Sequence, residues 1–227
     1  MLRRGRVKLF FIRHGETDWH ALEARGVRGW ARSFAPLTQL GRMQISVIAN
    51  DYRLEEAEGI LCSSYARALE SAGILSRSLN QPFYVEYDLH EWLPQKDPLG
   101  DVDEQIQQEA NKQLSYYTGF IPFADRRMNR GADDNAPQID RRTPVREREV
   151  PPPDARSWES VEEVRERILG VLSRYQHMET LIVVSHAVVI TSMLGQQRQI
   201  EHAEIVPMHV DFSAPTPVIT EVREQVR

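Results

Sequence analysis

A chain of 227 residues is long enough for one large domain or two small ones, and for a substantial buried core. Its formal charge of −5 leaves no global basic field to attract nucleic acid, and the single cysteine, Cys62, excludes both an intrachain disulfide and a cysteine-based zinc site. No window approaches the roughly 18 apolar residues of a membrane span, and Arg13 cuts short the apolar run that follows the basic Met1–Arg4, so the chain is expected to be soluble and cytoplasmic, with neither nucleic acid nor membrane among its partners.

The first element is Val7–Ile12 (VKLFFI), a short, bulky apolar run that reads as a buried strand and ends against Arg13-His14-Gly15. Thr38 to Tyr52 reads as a helix capped by Thr38, with Leu40, Met43, Val47, Ile48 and Tyr52 as its apolar face. Gly59–Cys62 (GILC) is a second strand, and Ser63-Ser64 can cap a helix from Tyr65 to about Leu79. Pro82–Glu86 (PFYVE) is a third strand opened by its proline, and Asp103 to Tyr117 has a thin helical pattern.

Composition shifts between Gly119 and Arg156. Eight arginines, seven acids and six prolines occur there with few apolar residues and no period, as in an irregular insertion. The interspersed acids argue against reading the arginines as an RNA-binding stripe. A capping box, Ser160 to Glu163, restarts order ahead of a helix with Val161, Val164, Ile168, Val171, Leu172 and Tyr175 on one stripe. Thr180–Val184 (TLIVV) then repeats the opening pattern, an apolar strand running into Ser185-His186, with a helix over Val188–Leu194. Ile205–Phe212 and Pro217–Val222 read as two last strands. Strands alternating with amphipathic helices predict an α/β three-layer sandwich: a central mixed, mostly parallel sheet, helices on both faces, and an inserted cap at about 93–156 within a single domain spanning 1–227.

In such sheets ligands gather beyond the carboxyl ends of the strands. Two strand ends deliver His14 and His186 there, Arg13 accompanies the first, Arg67 lies in the first turn of the helix after GILC, and Glu91 follows the third strand. Two imidazoles, two guanidiniums and a carboxyl group suit a doubly charged oxyanion. A neutral imidazole is a competent nucleophile near pH 7, planar arginine forks match the equatorial oxygens of a phosphoryl group, and a carboxylic acid can protonate a departing alkoxide. Arg67 read alone is also compatible with a surface arginine, and Glu86, Asp88 and His90 compete with Glu91 for the acid role.

FIRHGET at Phe11–Thr17 resembles the signature of the histidine phosphatase superfamily, which includes the cofactor-dependent phosphoglycerate mutases. Further blocks follow in the family's order. Arg28-Gly29-Trp30 with Pro36-Leu37-Thr38 and Gly41 is similar to its GW…PLT..G element, two residues longer between the halves; LCSSYARALESA is similar to its SSPLxRAxxTA helix; DLHEW, SWESVEEVRERI and VVSHAVVI resemble three later segments. The resemblance implies phosphomonoester hydrolysis through a phosphohistidine at His14, with Glu91 as proton donor and acceptor and Arg13, Arg67 and His186 clamping the phosphoryl group. It adds Thr17, His20 and Arg28 as pocket residues, and implies no metal and no cofactor, with a small phosphorylated molecule as the partner.

The chain also departs from the family. His20 stands where Asn is frequent, Ala187 where glycine follows the second histidine, and Trp92-Leu93-Pro94-Gln95 where mutases carry Arg-His-Tyr-Gly. The last departure favours hydrolysis over mutase chemistry. A phosphoglycerate-mutase-like phosphotransferase and a non-catalytic phosphate-binding module remain the alternatives.

Overall fold

A computed structural model describes residues 5–27, 29–96, 108–112, 114, 157–196 and 198–222. Six strands form one sheet: β1 (Arg6–Arg13), β2 (Ile60–Ser63), β3 (Phe83–Glu86), β4 (Thr180–Ser185), β5 (Ile205–Asp211) and β6 (Val218–Glu221). Their order is β3-β2-β4-β1-β5-β6. The first four run parallel, while β5 and β6 are antiparallel additions on the β1 side. The mixed, mostly parallel sheet expected from the alternating pattern is therefore present.

The apolar run of β1 is explained by burial on two faces. Val7, Leu9 and Phe11 join Leu61, Leu181 and Val183 in a core cluster with the helices α4 (Val161–Arg174) and α5 (Ala187–Leu194). Phe10 and Ile12 point the other way, into a second cluster with α2 (Gln39–Ile48) and α3 (Ala66–Leu79). Successive side chains of a strand alternate faces, so a central strand covered on both sides must be apolar throughout. A short helix, α1 (His20–Glu23), follows β1.

Helix ends follow local chemistry. Ser160 and Glu163 form a reciprocal capping box at the start of α4, as the sequence predicted. Thr38 caps α2 by accepting from Gly41 N at 2.9 Å, while its hydroxyl donates to Glu16 Oε2 at 2.6 Å. In α3 the helix begins one residue later than predicted, with Tyr65 as N-cap and its N–H donating to Ser63 Oγ at 3.3 Å. Gly195 closes α5 in the left-handed region at φ 65°, which glycine tolerates without strain.

Most of the predicted face of α2 is overturned: Ile48 packs, half-buried, against the core as expected, but the helix ends there, Tyr52 falls in a following 3-10 turn, and the rest of the stripe faces outward. Leu40, Met43, Val47 and Tyr52 are 52%, 57%, 72% and 76% exposed, and the buried residues of the helix are Gly41 and Ile45. Close backbone contact selects the face. A Cβ added to Gly41 would lie 2.2 Å from Glu16 O, and one added to Gly15 would lie 2.4 Å from Gly41 O. Only a glycine lets α2 approach the loop after β1 this closely, so packing is decided by the small residue and not by the apolar stripe.

The expected helix over Asp103–Tyr117 is described only at 108–112 and 114, which are helical. Most of the expected cap at about 93–156 lies outside the described residues. Among the described residues no helix is long and apolar enough to cross a membrane.

Candidate active site

The order β2-β4-β1 places three carboxyl ends side by side. Arg13 pairs in register with Ser185, and His14 N donates to Ser185 O at 3.1 Å. The chain thus leaves β1 at His14 and β4 at His186 on the same edge, with ring centroids 5.1 Å apart in an edge-to-face arrangement.

His14 is buried, and both of its ring nitrogens are engaged. Nδ1 lies 2.7 Å from Gly15 O, which places the proton there, and Thr17 Oγ1 is 3.4 Å from the same nitrogen. Nε2 then carries the lone pair and accepts from Arg67 Nε at 3.1 Å. Burial pushes the imidazole well below its ordinary pKa, and the Arg67 and Arg13 charges push it further. The side chain is therefore a neutral base at neutral pH, with its nucleophilic atom fixed on a guanidinium.

Arg67 comes from the first turn of α3 and is 5% exposed. Burial pulls its guanidinium down to about 10, partly offset by Glu91, so it stays cationic at neutral pH. Its Nη1 has no partner among the described residues. The guanidinium carbon sits 4.9 Å from the Tyr65 ring centroid and 5.2 Å from that of Trp19. His186 is fully buried; its Nε2 shares a 2.8 Å hydrogen bond with Ser63 Oγ at the end of β2, and its Nδ1 lacks a partner among the described residues. Burial, Arg67 and His14 depress its pKa as well. An unpartnered buried donor on an arginine and an unpartnered ring nitrogen on a histidine, beside a second imidazole, suit a ligand rich in polar oxygens.

Arg13 donates from Nη1 to Ile200 O at 2.6 Å, and its charge acts on His14, Arg67 and Glu91 alike. Glu91 follows the 3-10 turn Tyr87–Leu89 and is half-buried. Desolvation raises its carboxyl pKa, opposed by the 2.9 Å bond from Trp92 N to Oε1 and by the charges of Arg67, Arg13 and Arg167. The loop carrying it is tied down from two sides. Ser185 Oγ donates to Leu89 O at 2.8 Å. Arg167, on α4, donates to Glu159 Oε1 at 2.5 Å and Oε2 at 3.0 Å, to Asp88 O, and more weakly to Glu91 O at 3.5 Å.

The structure thus gathers Arg13, His14, Thr17, Arg67, Glu91 and His186 around one strand edge. His20 opens α1 as an exposed residue outside these contacts, and Arg28 lies outside the described residues. Sequence reasoning missed several neighbours. Tyr65, whose ring contacts both Arg67 and His186, carries no sequence signal beyond the start of a helix. His202 lies 5.8 Å from His14, ring to ring. It ends no parallel strand; β5 runs antiparallel, so the turn three residues ahead of its start, where His202 lies, reaches the edge where β1 ends.

The profile of the histidine phosphatase superfamily, branch 1, matches residues 9–120. The chain belongs to the histidine phosphatase superfamily. Among curated relatives, a probable phosphoglycerate mutase GpmB of Photorhabdus laumondii is 29% identical over 85 residues, covering 37% of this chain and 38% of that protein. The Yersinia enterocolitica counterpart is 33% identical over 70 residues, 31% of each. These matches span well under half the length of the curated relatives.

Solved phosphatase structures superpose far more widely. A mycobacterial glucosyl-3-phosphoglycerate phosphatase is 16% identical, with a TM-score of 0.57 over 95% of this chain and 98% of its own. The alpha-ribazole phosphatase from Shigella flexneri is 18% identical, with a TM-score of 0.54 over 96% of each chain. At such identities the likeness establishes the fold, while the site rests on the geometry above.

Proposed function

We propose that this histidine phosphatase superfamily member hydrolyses small phosphomonoesters through a phosphohistidine on His14. The observation that carries the reading is the buried, neutral His14 with Nδ1 held on Gly15 O and Nε2 on Arg67 Nε. A phosphoryl group entering the site takes over the donors of Arg67, Arg13 and His186, freeing the Nε2 lone pair. Nε2 attacks phosphorus in line and the P–O bond to the leaving group breaks. Glu91, kept protonated more readily by burial, gives its proton to the departing alkoxide. Water then attacks the phosphohistidine, the Glu91 carboxylate takes its proton, the P–N bond breaks and inorganic phosphate leaves. The arginines act by balancing charge on the equatorial oxygens.

Transfer to a second acceptor, as in a mutase, is the less favoured reading. The segment after Glu91, where mutases carry polar substrate contacts, is here committed to packing: Trp92 is buried and its Nε1 donates to Glu159 O at 2.5 Å. The test is phosphate release from a panel of phosphorylated metabolites by parent and His14→Ala, together with acid quenching to trap an acid-labile phosphoenzyme. Release that depends on His14 is expected. Isomer interconversion with little release would instead establish the mutase, and a flat panel with no phosphoenzyme would leave a phosphate-binding module.

A further inference from the structure

Trp19 carries a second arginine besides Arg67. The Arg32 guanidinium carbon lies 4.8 Å from the Trp19 ring centroid, and that of Arg67 lies 5.2 Å from the same ring. The two cations are therefore no farther apart than the sum of those distances. They repel one another, and Arg32 is among the charges that depress Arg67.

The two arginines differ in what they meet. Arg67 is buried and bonded to the nucleophile. Arg32 has no contact with His14 among the described residues; its one ionic neighbour there is Glu23 at 4.0 Å, the outer limit of an ion pair, and its side chain is 41% exposed. A cation held on an indole face beside another cation is unfavourable until an anion arrives between or beside them. The phosphoryl group being transferred already has Arg67, Arg13 and His186. Arg32 thus serves a different negative charge, farther from the reacting phosphorus.

The residue also belongs to what is particular to this chain. Arg32 lies in the 3-10 turn Gly29–Phe34, within the stretch between Trp30 and Pro36 that is two residues longer than the pattern it otherwise resembles. We propose that Arg32 and Trp19 form a subsite for a second anionic group, a carboxylate or a phosphate, on the leaving-group side of the substrate. The inference takes from the reading above the place where the first phosphate binds, but it does not depend on turnover.

Two non-hydrolysable ligands of equal shape separate the charge from the rest: para-carboxybenzylphosphonate and para-carbamoylbenzylphosphonate, which differ only in whether the para group is charged. Calorimetric titration of the parent is expected to show the carboxylate binding about tenfold tighter, the scale of a partly exposed charge-assisted hydrogen bond. Arg32→Gln is expected to abolish that preference, and Arg32→Lys to retain part of it. Thermal midpoints of both variants check that the fold is intact. No preference in the parent, a preference that survives Arg32→Gln, or no binding of either ligand overturns the subsite. Because both ligands resist hydrolysis, failure here is distinct from failure of His14-dependent phosphate release, which would sink the phosphatase reading alone. A bisphosphonate in place of the carboxylate tells whether the subsite prefers phosphate.

Discussion

Replacing Arg167 by methionine tests how the Glu91 loop is held. The Arg167 and Glu159 side chains are 13% and 8% exposed, so solvent screens the pair little. Methionine preserves much of the aliphatic packing but removes both bonds to Glu159 and those to the carbonyls of Asp88 and Glu91. Glu159 would keep the Leu93 N–H at 3.2 Å, which leaves a buried carboxylate without its counter-charge. Breaking such a pair costs about 3–5 kcal/mol. With a urea dependence of about 3 kcal/mol per molar, the unfolding midpoint should fall by about 1–1.7 M.

The cycle with Glu159→Gln isolates the pair. The double variant should be less damaged than the sum of the singles, with a coupling of about 2 kcal/mol or more. Turnover should fall more than apparent substrate affinity, because the loop that Arg167 ties down carries Glu91, the proposed proton donor, and not the proposed phosphate clamp. The assays are urea unfolding at pH 7 and steady-state phosphate release. A midpoint for Arg167→Met within about 0.2 M of the parent, or strictly additive losses, would refute the argument.

Other perturbations follow from the same geometry. Gly41→Ala forces a Cβ against the Glu16 carbonyl, backbone that no rotamer change can relieve, and should cost about 1–3 kcal/mol in urea unfolding while lowering His14-dependent turnover. By contrast, Met43→Gln and Val47→Thr, on the exposed face of α2, should shift stability by no more than about 0.5 kcal/mol; a loss of several kcal/mol would show that this face is covered. Stability should also depend on pH. His14 and His186 have depressed pKa values in the folded chain, so below pH 6.5 the unfolded chain binds more protons. Stability is then lost as pH falls, at up to about 2.7 kcal/mol per pH unit when both titrate. Urea midpoints from pH 7.5 to 5.5 should therefore decline, and the double replacement by glutamine should flatten the trend. Activity should decline as pH rises through the raised pKa of Glu91, while the depressed pKa of His14 keeps the imidazole neutral; Glu91→Gln should lose that alkaline decline along with most of the rate.

The site was legible wherever chemistry and chain position coincide. RHG at the end of an apolar strand and SH at the end of another put His14 and His186 at one sheet edge, because parallel strands deliver their carboxyl ends to the same side. Ser160–Glu163 announced its helix because a capping box is satisfied entirely by neighbours in sequence. The face of α2 was not legible, since periodicity reports which residues could be buried and not which neighbour approaches closest. Arg167 and Glu159 lie in SWESVEEVRERI, a segment with a family resemblance, but their hold on the Glu91 loop was not legible, because the bonds that tie them to it join residues far apart in the chain.

By itself the sequence determined the strands, the caps of α2 and α4 and the place of His14 at the end of β1, all products of local pattern and residue chemistry. Tertiary structure alone decided the order β2-β4-β1, the Gly15–Gly41 contact, the arrival of His202 from the turn before an antiparallel strand, and the pairing of Arg67 with Arg32 on one indole. Those features depend on backbones meeting across long sequence separations, where close packing admits one arrangement and the local pattern admits several.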